Sequence, residues 1–343
     1  MEELSERDKA VLESLIRAYI AMAVPVGSRT ISRRYRLGVS SATIRNIMMD
    51  LEEMGYVRQP HTSAGRIPTD KGYRFYVDTL MPQPTLSEAE KAEIGRKIEE
   101  ALKEHRTEDI LEQICKVISD VSQQLGVVLS PRFDMGVLHK IELVSLTERR
   151  ILVVLTIRSG LAKTMVLEVT SKVEPEDLSE TGRVLNERLS GLTIEEIRNS
   201  MKERMRSASK GDPKLLRIFI DEADEVFQFQ HPADLHVGGT SHMFFQPEFQ
   251  DRETLAEFMS LFEEREPVVY LLSERINRPG IWITIGAEND PDAMHLCSLV
   301  TAPYRVGNVM GVVGILGPTR MPYPKITALV DYMAEVTEEL LQR

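Results

Sequence analysis

Between Ser28 and Val77 the chain reads SRTISRRYRLGVSSATIRNIMMDLEEMGYVRQPHTSAGRIPTDKGYRFYV, and this stretch constrains the fold more than any other. A short helical pattern, Thr30–Arg36, meets a tight turn at Leu37-Gly38-Val39. A second helix follows from Ser40 or Ser41 to Met54, with Gly55 as its stop. At about 100° per residue, Ile44, Ile47, Met48, Leu51 and Met54 make one apolar stripe, and Ala42, Arg45, Asn46, Met49 and Glu53 fall opposite it. Two short extended pieces, Tyr56–Gln59 and Ile67–Thr69, flank a loop that holds His61, Ser63, Gly65 and Arg66. Helix, turn, helix and a two-stranded wing, in that order, predict a winged helix-turn-helix.

The polar face of the second helix has a chemistry suited to double-stranded DNA. Arginine pairs with guanine, asparagine with adenine, and a small apolar side chain touches a thymine methyl. Asp50, Glu52 and Glu53 crowd the C-terminal half, where phosphates would repel them. The N-terminal end therefore enters the groove, with Ser40, Ser41, Thr43, Arg45 and Asn46 nearest the bases. Arg29, Arg33, Arg34 and Arg36 suit phosphate contacts, which give affinity without sequence information. At the wing tip, with His61 and Ser63, Gly65 permits close backbone approach and Arg66 reaches for phosphate or the minor groove. Charge supports this reading over an ordinary solvated helix face. Residues 28–75 carry nine Lys or Arg against four Asp or Glu, whereas residues 81–343 carry 30 against 43 on a chain of net charge −11. One basic island on an acidic chain is a local electrostatic footprint.

The remainder of the 343 residues allows two or three domains. No apolar run approaches the roughly 20 residues that span a bilayer. The acidic, helical N-terminus does not read as a signal peptide, so a cytoplasmic protein is expected. Cys115 and Cys297 lack zinc-type spacing and read as buried thiols. Ser5–Ala23 predicts a first helix, Asp70–Leu80 a helix closing the wing, and Met81–Ser87, with two prolines, a linker. Amphipathic helices are expected at Glu88–His105 and Glu108–Leu125. Four alternating or apolar runs follow as strands, then a helix at Val173–Leu189. Helices at Thr193–Ser207 and Pro213–Phe229, an irregular segment Gln228–Phe249 and a helix capped by Asp251 come next. Strands beyond Asn277 and a final helix Pro324–Leu341 complete the chain. This order predicts an α+β fold: residues 1–82 as the winged helix, 83–190 and 276–343 as two parts of one domain, and 191–275 as a mainly helical insertion.

Catalytic and metal chemistry find no foothold. Gly311–Arg320 (GVVGILGPTR) lacks the Gly-Lys-Ser/Thr ending of a phosphate loop and reads as a strand with packing glycines. His231, His236 and His242 with Asp234 match no zinc pattern. Neither a cofactor nor a metal is expected, and the chain does not read as an enzyme.

Blocks spread along the whole chain resemble one family. PVGSRTIS, SSATIRNIMMDLEEMGY, QPHTSAGRIPTDKGYRFYVD, GGTSHMFFQPEF, IGAEN, CSLVTAPY and GILGPTRMPYPK are similar to the bacterial heat-inducible transcription repressors HrcA. The resemblance implies a winged helix followed by a GAF-like domain that an inserted dimerisation domain interrupts. It also implies binding, as a homodimer, to the palindromic CIRCE operator of chaperone operons, with activity supported by the chaperonin GroEL. Dimerisation has its own physical motive, since one winged helix reads only a few base pairs and two combine their binding energies. Ile218, Phe219, Val226, Phe227, Phe258 and Phe262 are the expected contacts, against the alternative that they fill the insertion's own core. A rival reading is a ligand-sensing regulator, with an effector pocket near Trp282, Tyr304 and Arg305.

Overall fold

The computed structural model describes residues 4–62, 64–104, 110–131, 136–158, 160, 162–169, 173–206, 210–227, 235–276 and 278–342. The chain divides into two compact units. The first comprises residues 1–129, 235–303 and 312–337, and the second residues 130–234, 304–311 and 338–343.

The first unit begins with the head. Helix α1 (Glu6–Met22) starts from a reciprocal cap between Ser5 and Asp8 and buries Val11, Leu12, Leu15 and Ile16. Helices α2 (Ser28–Arg34) and α3 (Ser41–Glu53) follow. The predicted stripe of α3 is the buried one, with Ile44, Ile47, Met48 and Leu51 inside and Met54 half-buried. Each such side chain contributes about 1.5–3 kcal/mol when fully buried. Strands β1 (Val57–Arg58) and β2 (Ile67–Pro68) form the antiparallel wing. Val26 adds a third edge through two 2.8 Å backbone bonds with Arg66. Helix α4 (Asp70–Phe75), capped by Thr69, runs into a π-helical turn at Tyr76–Leu80.

The body of the same unit starts with α5 (Glu88–Glu104), α6 (Ile110–Ser122) and β3 (Leu125–Leu129). Here the chain leaves for the second unit. That unit holds the antiparallel sheet β4 (Leu138–Thr147), β5 (Arg150–Ile157) and β6 (Ala162–Glu168). Helices α7 (Pro175–Leu189), α8 (Ile194–Met205), α9 (Pro213–Asp221) and α10 (Ala223–Val226) complete it. One face of its sheet is buried: Ile151 packs with Val169, Leu178 and Leu215, and Leu143, Val173 and Ile218 lean on that cluster.

The chain then returns to the body through β7 (Leu235–Gly238), α11 (Thr240–Met243), α12 (Arg252–Glu264) and α13 (Glu266–Ser273). Strands β8 (Trp282–Ile285), β9 (Cys297–Val306) and β10 (Val309–Pro318) and helix α14 (Tyr323–Leu341) end it. The body sheet runs β7-β3-β10-β9-β8. Gly314 lies within β10, where a Cβ would sit 2.8 Å from the Thr301 side chain and 2.9 Å from the Val300 carbonyl oxygen. Gly314 of GVVGILGPTR thus serves close strand packing.

The excursion differs from the expected insertion at 191–275 in position and in kind. It spans residues 130–234 and carries a sheet of its own. Pairing explains the shift. Among the described residues β4 and β6 pair as strands only with β5, while β7 pairs with β3, which returns residues 235–275 to the body. The segment expected to be irregular contains β7 and α11, and α13 adds a further helix.

Candidate nucleic-acid interface

Ser40 caps α3 by accepting from the Thr43 amide at 3.1 Å, and its hydroxyl lies 3.0 Å from that of Thr43. Ser41 and Ser28 join α3 to α2 through hydroxyls 3.2 Å apart. These bonds fix the entry of α3 into its first turn. Beyond them Ala42, Thr43, Arg45, Asn46 and Met49 are exposed along one edge. Arg29, Arg33, Arg34 and Arg36 are exposed on or just after α2. A cleft of about 590 Å³ separates α3 from the wing, lined by Arg29, Arg45, Met49, Gln59, Thr62 and Arg66 among others. Arg45 and Met49 of α3, Arg29 of α2 and the polar wing residues Gln59 and Thr62 line a groove that fits a polyanion carrying hydrogen-bonding edges.

The wing corrects one expectation. Arg66 does not extend toward a ligand. Its Nη2 holds Glu52 Oε2 of α3 at 2.8 Å, and only 15% of its side chain is exposed. Arg66 therefore props the wing against α3. Gly65 has a similar internal role. A Cβ there would lie 2.4 Å from the Val26 carbonyl carbon, so the close backbone approach is to the chain's own third edge. Gln59 shapes the loop by donating to Thr62 O at 3.0 Å and Ala64 O at 2.9 Å. His61 is exposed at the loop, and Ser63 lies outside the described residues.

Sequence reasoning also missed two clips on the far end of α3. Thr69 Oγ1 donates to Gly55 O at 2.7 Å, and Lys71 Nζ donates to Met54 O at 2.7 Å while lying 4.5 Å from the Tyr56 ring centroid. A cation on the last carbonyls suits the negative end of a helix. The signal was present in Thr-Asp-Lys-Gly directly after the wing.

The remaining candidates find other places. Phe219, Val226 and Phe227 are buried in the second unit and Phe258 and Phe262 in the first, while Ile218 is half-buried on the second unit's core. As core residues they are not available as a contact surface. Their apolar stripes were legible, but not what covers them. Tyr304 is buried, Trp282 lies under Arg278 at 4.3 Å from its ring centroid, and the Arg305 amide donates to Glu338 Oε1 at 2.6 Å. Cys115 and Cys297 are both buried, and burial pushes the Cys115 thiol up to about 12. His231 and Asp234 lie outside the described residues, and among those described no group of three His, Cys, Asp or Glu side chains is arranged to hold a metal ion. No described helix is long and apolar enough to cross a membrane.

Residues 3–79 match the model of the winged helix-turn-helix transcription repressor, HrcA DNA-binding family, and residues 108–327 match the HrcA protein C terminal domain. The chain belongs to the HrcA family of heat-inducible transcription repressors. It is 41% identical to the heat-inducible transcription repressor HrcA of Chlorobium phaeobacteroides (strain BS1) over 342 residues, covering 97% of each chain. Against the HrcA repressor of Geobacter sulfurreducens it is 38% identical, covering 100% of this chain and 99% of the other. A crystal structure described as a hypothetical protein shares the fold, with a TM-score of 0.60 at 20% identity over 99% of both chains. HrcA proteins are repressors, not enzymes, and the exposed edge of α3 lies in the domain that the family uses for DNA.

Proposed function

We propose that this chain represses heat-shock chaperone operons by binding the palindromic CIRCE operator as a homodimer. The observation that carries the reading is the edge of α3 on which Arg45 and Asn46 are both exposed, with Arg45 lining a cleft whose walls add Arg29 and the wing. Ser40, Ser41, Thr43, Arg45 and Asn46 address the bases. Arg29, Arg33, Arg34 and His61 address the backbone.

The dimer rests on the second unit. One face of its sheet covers its own core, and the other is open, with an apolar centre flanked by the pairs Lys140–Glu142 and Arg150–Glu168. Val144, Leu152 and Val166 lie side by side on that face by strand register. Val144, Leu146 and Val166 are 47%, 51% and 41% exposed. An uncovered sheet centre of this composition is a contact surface, and it replaces the buried aromatics as the interface we assign. The body supports the GAF-like reading by its antiparallel sheet with helices, interrupted between its first two strands. The chaperonin GroEL enters through the family resemblance.

A gel shift with the inverted repeat, with and without chaperonin, tests the reading. Retarded operator, weakened by Asn46→Ala, is expected. Equal retention of random DNA would refute it. Light scattering of Leu146→Glu and Val166→Lys tests the interface: monomers are expected, and an unchanged dimer would exclude this face.

A further inference from the structure

The head is joined to α5 by residues 81–87, a connection with two prolines that by itself leaves its orientation free. Other contacts remove that freedom. Asp70 Oδ2 accepts from the Ala287 amide at 3.0 Å. Gly286 makes this possible: it stands at φ +55°, and a Cβ there would lie within 2.1 Å of the same carboxylate oxygen. One helical turn on, Arg74 is gripped on every side. Its Nε donates to Glu288 Oε1 at 2.9 Å and its Nη2 to Ile283 O at 2.7 Å and to Glu288 Oε2. Its Nη1 donates to Asp78 at 3.1 Å, and Glu288 also accepts from the Ile285 amide at 3.0 Å. The body reciprocates with Arg320, which binds Glu248 at 2.8 Å and Gln246 at 2.9 Å and reaches Ile20 O of α1 at 3.4 Å. Tyr73 packs on Tyr323 with ring centroids 5.9 Å apart.

The same turn of helix has a second set of partners. Thr69 and Lys71 hold the end of the reading helix through Gly55 O and Met54 O. Alternate residues of one segment thus grasp the reading helix (Thr69, Lys71) and the body (Asp70, Arg74). A charge-assisted fork such as Arg74–Glu288 fixes angle as well as distance.

We propose that Asp70 and Arg74 are positioning residues that set the separation of the two reading heads, and so the operator spacer the repressor accepts. The inference rests on the dimeric operator reading above. A head locked to its body cannot turn independently of it, so fewer half-site spacings satisfy both heads. A head freed from the body still reads a half-site, but it loses the advantage of fixed geometry.

The test compares full-length wild type with Arg74→Ala, Asp70→Asn and Glu288→Gln on three probes. These are the operator, operators with the spacer changed by one or two base pairs, and an isolated half-site. Wild type should bind the natural spacer far better than the altered ones. The variants should bind the half-site as wild type does, lose about tenfold on the natural operator and discriminate little between spacers. A merely structural role would not produce that pattern, because it would weaken half-site and operator together. If Arg74→Ala does not fold, Asp70→Asn and Glu288→Gln carry the test. Variants that keep the wild-type spacer preference would overturn the proposal alone. Wild type that binds the repeat no better than the half-site would overturn the dimeric reading and this proposal with it.

Discussion

Arg66 of the wing and Glu52 of α3 are joined by a 2.8 Å ion pair with only 15% of the arginine side chain exposed. The pair has two effects. It fixes the angle between wing and α3, and it neutralises one of the three carboxylates at the acidic end of that helix. Arg66→Ala should cost about 1–3 kcal/mol of head stability, because it strands a partly buried carboxylate. Denaturant unfolding measures this. Glu52→Ala should cost less, since the freed guanidinium can turn toward solvent.

Base reading and phosphate binding should separate cleanly. Arg45→Ala and Asn46→Ala are each expected to cost about 1–3 kcal/mol on the operator and to relax base preference. Arg33→Ala should weaken all sequences alike and reduce the slope of log affinity against log salt by about one. Fluorescence anisotropy titrations on operator and random DNA at several salt concentrations read both quantities. Equal loss on the two DNAs for Asn46→Ala would remove it from the reading edge.

Two glycines should respond in opposite directions. Gly65→Ala drives a Cβ against the Val26 backbone at 2.4 Å and should destabilise the head by about 1–3 kcal/mol. Gly95→Ala, inside α5 with nothing within 4 Å of the new Cβ, should stabilise by about 0.5–1 kcal/mol. Thermal melts of the two variants decide.

The buried thiols predict an alkaline limit. Burial raises Cys115 from 9.0 to about 12 and raises Cys297 as well. The folded state therefore holds protons that the unfolded state releases. The resulting stability is fully present below pH 9, declines as pH rises above it and is gone beyond the folded value. Unfolding midpoints should fall steadily from pH 9 upward, less so in Cys115→Ala/Cys297→Ala. At pH 8 neither thiol should react with a thiol reagent until the protein unfolds.

Much of the head was legible because its physics is local. The apolar stripe of α3, its start at Ser40 or Ser41 and the short wing strands all follow from spacing within one element, and the structure places them within a residue or two. Arg66 was misread because its partner sits 14 positions away on another element, and a wing arginine next to glycine looks the same whether it faces phosphate or Glu52. The excursion was misplaced for a related reason. Alternation marks β4, β5 and β6 as strands but says nothing of which sheet they join. The four residues of β7 beside two glycines carried too little pattern to reveal their pairing with β3. Phe219, Phe227, Phe258 and Phe262 show the limit most plainly: an apolar helix face is the same sequence whether a partner or the protein's own core covers it.

The place of β3 in the body sheet has a consequence for how the chain is born. β3 lies between β7 and β10, and residues 130–234 separate it from the nearer of these. Synthesis runs from the N-terminus, and compact segments fold as they emerge. The head has all its own elements early, but the surfaces that orient it, at residues 283–288 and 320, arrive near the end. Until residues 309–318 leave the ribosome, the strand Leu125–Leu129 has a bare edge on at least one side. Each new copy thus passes through a long interval as a head attached to an unfinished, apolar half-sheet whose open strand edge is a template for unwanted pairing.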